Sequence, residues 1–156
     1  MLSSLFTDDQ TASNPIFLPF SLAREAEALS LLGKCAVIVE DEGITQLQLR
    51  KLLRSEGIKV VGTASDGQEG VELVLKERPD FVLMDIRMPV MDGLEATERI
   101  LAEYRVCIVM LTAFSDEAYR QQATELGACA YVLKPVTVET LMPQLKAAYH
   151  KFHHAS

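Results

Sequence analysis

Residues 80–93 read DFVLMDIRMPVMDG. The segment opens with an almost purely apolar run, 80–84, and that run ends on a lone carboxylate, Asp85. Pro89 then punctuates a loop, and Asp92-Gly93 reads as a helix start with Asp92 as the cap. An apolar run with no polar alternate positions suits a parallel strand covered on both faces. Strand, acidic end, loop and capped helix make one βα unit.

The same unit recurs on either side. Apolar runs at 35–39, 58–64, 106–111 and 129–133 complete a set of five, each followed by a segment of helical spacing. The run at 58–64 is interrupted by Gly62 and is expected at a sheet edge. Leu49, Leu52 and Leu53 mark one face of the first helical segment, which Gly57 ends. Asp66 and Glu69 form a capping-box pattern ahead of Val71, Val74 and Leu75. In the third segment Leu94, Leu101 and Tyr104 follow Asp92. Ser115 is expected to start the fourth, with Asp116 and Glu117 in its first turn and Gly127 at its end. The fifth is expected over 138–152, with Pro143 either kinking its first turn or delaying its start. Five such units predict a doubly wound α/β sandwich with helices on both faces of a five-stranded parallel sheet. In that architecture function gathers at the carboxyl ends of the strands.

Residues 1–33 differ from the rest and are expected to be an N-terminal extension. Positions 7–15 are polar, and 21–32 carry a short amphipathic pattern in which Ser21 can cap and Gly33 can end a helix. Residues 34–152 form the expected domain and 153–156 a tail. The chain has 156 residues, 49% of them hydrophobic, and 22 acidic against 15 basic residues for a net charge of −7. That balance argues against a nucleic-acid surface. No apolar run is long enough to span a bilayer, and the first residues lack the basic start of a secretion signal, so the expectation is a cytoplasmic chain. Cys35, Cys107 and Cys129 stand far apart in sequence and form no Cys-x-x-Cys pair, which reads as three buried thiols. His150, His153 and His154 read as a frayed, solvated tail rather than a metal site.

The strand ends carry the chemistry. Glu40, Asp41 and Glu42 follow the first run, Asp85 the third, Thr112-Ala113 the fourth and Lys134-Pro135 the fifth. Converging carboxylates need a counter-charge, and a hard divalent cation such as Mg²⁺ takes oxygen ligands. Glu40, Asp41 and Asp85 are the expected metal ligands, against the plainer alternative of a solvated acidic rim. Glu42 reads as part of the helix start. A carboxylate beside Mg²⁺ can attack a phosphoryl group, with Lys134 and Thr112 compensating charge on its oxygens. Lys134–Pro135 is a candidate cis peptide.

In order, Glu40-Asp41, Met-Asp85-Ile-Arg-Met-Pro, Met91-Asp92-Gly93, Thr112-Ala113 and Lys134-Pro135 resemble the receiver domains of two-component response regulators, over about residues 34–152. The resemblance implies a CheY-like, flavodoxin-like fold with strand order 2-1-3-4-5. It implies Asp85 as phosphoacceptor and Mg²⁺ held by Glu40, Asp41, Asp85 and the backbone carbonyl of Arg87. Thr112, Ala113 and Lys134 would bind the phosphoryl group, and Tyr131 would be an aromatic switch. Glu40 departs from the usual Asp. The implied partners are a histidine kinase or histidine phosphotransfer protein, a downstream protein effector, and a second copy of the chain through the fourth helix, fifth strand and fifth helix or through the N-terminal helix. No direct nucleic-acid or membrane contact is expected. The sequence is most similar to receivers of antitermination-type regulators. Their three-helix RNA-binding module does not follow residue 152, so RNA binding is not carried over. The expectation is a single-domain, non-enzymatic regulator, with transcription a possible output through a bound partner.

Other classes fit less well. A dehalogenase-like phosphatase needs a second Asp two residues past the nucleophile, where Arg87 stands. That arginine could instead shield an acyl phosphate. A flavodoxin-like cofactor binder needs a Ser/Thr/Gly-rich loop where Glu40-Asp41-Glu42 would repel phosphate. A receiver that works without phosphate is the remaining alternative.

Overall fold

The computed structural model describes residues 30–113, 115 and 117–154. Of the helix expected over 21–32, residues 21–29 lie outside the described residues, as does the first-turn Asp116, and Leu31 and Leu32 are not its last helical residues but lead into a turn over 32–33. Ten elements alternate: β1 (Cys35–Val39), α1 (Gly43–Ser55), β2 (Lys59–Ala64), α2 (Gly67–Glu77), β3 (Phe81–Asp85), α3 (Gly93–Leu101), β4 (Cys107–Thr112), α4 (Glu117–Leu126), β5 (Ala130–Leu133) and α5 (Val138–His154). All five strands are parallel, in the order β2-β1-β3-β4-β5. The Gly-interrupted β2 is at an edge, and β1, β3 and β4 are almost wholly buried.

Two apolar clusters sit on the two faces. Ile38, Phe81, Leu83 and Val109 pack with Leu49 and Leu53 of α1 and Leu141 and Leu145 of α5. Val37, Val82, Met84 and Ile108 pack with Val71 and Val74 of α2, Leu94 and Ile100 of α3 and Ala123 of α4. Leu31 is buried in the first of these clusters. Helices of 9–17 residues are marginal alone, so this burial holds them, at about 1.5–3 kcal/mol per buried large side chain.

Local signals act as the sequence predicts at several helix ends. Asp66 accepts from Glu69 N at 2.8 Å, and Asp92 from Glu95 N at 2.9 Å. The reciprocal arm of the capping box shifts by one residue, because Glu69 Oε1 accepts from Ser65 N at 2.6 Å. Gly57 and Gly127 end α1 and α4 with φ of 79° and 109°.

Several boundaries differ from expectation: β2, β4 and β5 each start one residue later, β4 also ends one later, α3 ends before Tyr104, and three further ends have a clear cause. Asp80 is not in β3. Its carboxylate accepts from Cys35 N at 2.7 Å and its N–H donates to Cys35 O at 2.8 Å, tying the start of β1 to the turn before β3. α4 begins at Glu117, with Ser115 exposed before it. α5 starts at Val138 and runs through Pro143 to His154. A proline in a helix interior costs about 3 kcal/mol. Thr137 caps the start by accepting from Thr140 N at 3.2 Å, and the buried face of Leu141, Met142, Leu145 and Ala148 offsets that cost. The expected frayed histidine tail is helical because Arg105 clamps it. Its guanidinium lies 4.0 Å from the Phe152 ring centre and donates to Phe152 O at 3.0 Å, while His153 stacks on Tyr149.

Gly93, the first residue of α3, sets how closely that helix approaches β3. A Cβ there would lie 2.1 Å from Asp85 O, and Gly93 N donates to Ile86 O at 2.7 Å. Gly93→Ala should therefore destabilise the chain by about 3 kcal/mol, since backbone has to move. Gly43→Ala meets nothing within 4 Å and should leave stability unchanged or slightly raised. Thermal melts of the two variants beside the native chain check this. Equal melting temperatures would show that the approach of α3 is not fixed at Gly93.

Candidate functional site

Strand alternation brings the site together. Glu40, Asp85 and Lys134 each stand two residues past Ile38, Leu83 and Val132, which all belong to the cluster against α1 and α5. The three functional side chains therefore emerge on one phase at the carboxyl ends of β1, β3 and β5. Thr112 has the opposite phase, shared with Met110, whose register partner is Tyr131. Thr112 and Tyr131 thus point to the same face of the sheet.

The ligand atoms of Glu40, Asp41 and Asp85 lie within 4.8 Å of one another. Glu40 is 1% exposed and Asp85 6%, whereas Asp41 faces solvent. Lys134 Nζ lies 2.7 Å from Glu40 Oε1 and 3.5 Å from Asp85 Oδ2. The other Glu40 oxygen accepts from Glu42 N at 3.1 Å. Gln46 of α1 donates to Glu40 O at 3.0 Å and Ala64 O at 3.2 Å, which ties the helix to the ends of β1 and β2. Lys134 N donates to Thr112 O at 2.8 Å. The Lys134–Pro135 peptide is cis. Thr112 is fully buried, Ala113 and Arg87 are exposed, and Glu42 is the N-cap of α1. Tyr131 is buried in β5 with the Arg120 guanidinium 4.8 Å from its ring centre.

Between Asp85 and α3 the chain makes a three-residue turn on Val90, closed by Met91 N donating to Pro89 O at 2.7 Å. Val90 has φ 69° and is 81% exposed. A β-branched residue in this region is strained, at a cost of order 1–3 kcal/mol. The sequence gives no sign of it beyond the neighbouring Pro89.

The electrostatics follow from crowding. Burial first, then the Glu40 charge, raise the Asp85 carboxyl from 3.8 to about 7, against the pull of Lys134. Burial alone would lower the Lys134 ammonium, but its hydrogen bond to Glu40 and the Asp85 charge outweigh that and hold it above the usual lysine range. Three oxygen-donor side chains, two of them buried and sharing one ammonium, suit a hard divalent cation such as Mg²⁺. Among the described residues, no helix is long and apolar enough to cross a membrane.

The raised Asp85 carboxyl has a measurable sign. Between pH 3.8 and about 7 the folded chain keeps a proton on Asp85 that the unfolded chain has lost, so stability falls as pH rises through that window. Without divalent cations, the melting temperature should fall from about pH 5 to about pH 8. Asp85→Asn should flatten the fall and melt higher at the alkaline end. Thermal melts across that range check it. A native chain and variant with parallel profiles would show that Asp85 ionises normally.

Comparison with known proteins gives the family. The response regulator receiver domain family model matches residues 36–146. The transcriptional regulatory protein PdtaR of Mycobacterium tuberculosis is 41% identical over 126 residues, 81% of this chain and 62% of that protein. LnrK of Bacillus subtilis, also a transcriptional regulatory protein, is 41% identical over 108 residues, 68% of this chain and 49% of its own length. This chain thus spans less than two thirds of either relative. Among solved structures, the signal receiver domain of a modulated diguanylate cyclase from Desulfovibrio desulfuricans superposes with a TM-score of 0.71 at 32% identity, covering 78% of this chain and 97% of that one. A family match across most of the folded unit, with a solved receiver domain superposing on the same fold, places the chain in the response regulator receiver domain family.

Proposed function

We propose that the chain works as a phosphorylation-dependent signalling switch in a two-component system, with Asp85 as the phosphoacceptor. The observation that carries this is the convergence of Glu40, Asp41 and Asp85 within 4.8 Å, with Lys134 on two of them. An Asp85 oxygen attacks the phosphorus of a phosphohistidine on a histidine kinase or phosphotransfer protein. The new O–P bond forms as the N–P bond breaks, and the histidine nitrogen leaves with the electron pair. Glu40, Asp41, Asp85 and the Arg87 carbonyl would hold Mg²⁺, which when bound supplies charge neutralisation on the phosphoryl oxygens. Lys134 moves its ammonium from the carboxylates toward those oxygens, the Thr112 hydroxyl donates to them, and Ala113 presents its backbone beside them.

The output follows from the sheet. Thr112 and Tyr131 share one face, so a Thr112 drawn toward the phosphoryl group opens space that the Tyr131 ring can enter. That movement changes the surface of α4, β5 and α5, which then favours a downstream protein effector or a second copy of the chain. The signalling unit is wider than the expected 34–152, since Leu31 packs into its core and α5 runs to His154, and the residues before it would be an extension that contributes to partner contact. The chain is a phosphoacceptor rather than an enzyme. The position two past Asp85, which a phosphatase of the dehalogenase type would fill with a general acid, holds Arg87. Transcriptional control, as named for PdtaR and LnrK, would run through a bound partner.

Intact mass after incubation with a small-molecule phosphodonor tests the reading. The native chain should gain one phosphoryl group only when Mg²⁺ is present, and Asp85→Asn should gain none. An adduct on Asp85→Asn, or one on the native chain after chelation, would overturn the assignment. No adduct on the native chain in Mg²⁺ would favour a receiver that works without phosphate.

A further inference from the structure

Cys107 and Cys129, which the sequence reads as separate buried thiols, meet in the fold. Cys107 opens β4 and Cys129 immediately precedes β5, its neighbour in the sheet; Cys129 N donates to Ile108 O at 2.8 Å. Both pack into the cluster against α5. The bond from Cys129 N to Ile108 O sets Cys129 beside the residue that follows Cys107. Cys107 is fully buried and Cys129 is partly exposed.

Cys129 also lines a cleft of about 390 Å³ beside β5, between α4 and α5. Arg120 and Lys151 border the same cleft, with Tyr131 and Phe152. An anionic sulfur at Cys129 therefore has cations bordering its cleft, a second thiol on the adjacent strand and an opening to solvent. These conditions separate a reactive cysteine from an inert buried one.

We propose that Cys129 is a peroxide-reactive thiol and that Cys107 is its resolving partner, so that oxidation joins β4 to β5 by a disulfide at the amino end of the edge strand. The Cys107 thiol beside it is the largest influence lowering the Cys129 thiol, from 9.0 to about 7, and the Arg105 and Lys151 charges add to it; the neighbouring Cys129 sulfur and burial push the Cys107 thiol up.

The chemistry balances in two steps. The Cys129 thiolate attacks one oxygen of hydrogen peroxide. The S–O bond forms, the O–O bond breaks and hydroxide leaves, giving the Cys129 sulfenic acid; the hydroxide takes up the proton that Cys129 released on ionising and becomes water. The Cys107 sulfur then attacks the Cys129 sulfur. The S–S bond forms, the S–O bond breaks, and the departing hydroxide takes the Cys107 proton as water. Two thiols and one peroxide become one disulfide and two waters.

Cys35, also partly exposed, is an internal reference in the same chain. In the native protein near neutral pH, iodoacetamide should alkylate Cys129 several-fold faster than Cys35, because Cys129 opens on a cleft bordered by Arg120 and Lys151. After hydrogen peroxide and then iodoacetamide, peptide mapping should find a Cys107–Cys129 disulfide, with Cys35 alkylated. Cys107→Ser should stop at a Cys129 sulfenic acid that dimedone traps. Equal alkylation of Cys35 and Cys129 would overturn the proposal, and so would peroxide loss of thiols without the crosslink. Because the alkylation rates and the crosslink are read on the native chain, the proposal stays testable if Cys107→Ser does not fold.

Discussion

Three carboxylates crowd one sheet edge, and one ammonium faces two of them. Lys134 Nζ sits 2.7 Å from Glu40 and 3.5 Å from Asp85. At an effective dielectric of about 20, a pair at such distances gains about 4–6 kcal/mol. Desolvating each ion costs several kcal/mol. One lysine therefore cannot neutralise both buried carboxylates and Asp41 as well, and the strain appears on Asp85, whose proton is held to about 7. A site left in electrostatic debt is one that gains from added positive charge. The same arrangement serves a phosphoacceptor, since a nucleophilic carboxylate needs a cation beside it but should not be locked into a full salt bridge.

The fold holds this crowding in place through backbone rather than through the charged groups themselves. Glu40 N donates to Ala64 O, Lys134 N to Thr112 O, and Gly93 N to Ile86 O. Each joins one strand end to a neighbour or to the loop behind it. Gln46 adds a side-chain strut from α1 across β1 and β2. These bonds carry no net charge, so a change of charge at Asp85 does not act on them directly.

Much of this was legible in the residues. Five apolar runs gave the strands, and interruption by Gly62 placed β2 at an edge. The acidic, hydroxyl and ammonium groups that follow those runs are the ones the sheet gathers. The misses have physical causes. Asp80 looked like a strand residue, but its carboxylate is used on Cys35 N. Pro143 looked like a helix limit, but a capped start and four buried side chains outweigh one lost backbone bond. The histidines looked frayed, but Arg105, far along the chain, clamps Phe152 and holds the turn they sit in. Cys107 and Cys129 are 22 positions apart in sequence. Only the adjacency of β4 and β5 makes them neighbours, and nothing in the residues around either cysteine signals it.

β5 is where these threads meet. It has four residues, pairs on one side only, and carries Lys134 just past one end and Cys129 just before the other. Those two positions are roughly 16 Å apart at the rise of an extended strand. A short edge strand with one ladder of hydrogen bonds is among the cheaper elements of a sheet to displace. Between its ends sits Tyr131, on the face of Thr112 and under Arg120. A charge change at Lys134 and a covalent change at Cys129 would thus act on the same four residues from opposite ends. A disulfide would tether the amino end to β4, while Lys134 and Thr112 set the carboxyl end. The two inputs would bias one element rather than two separate surfaces.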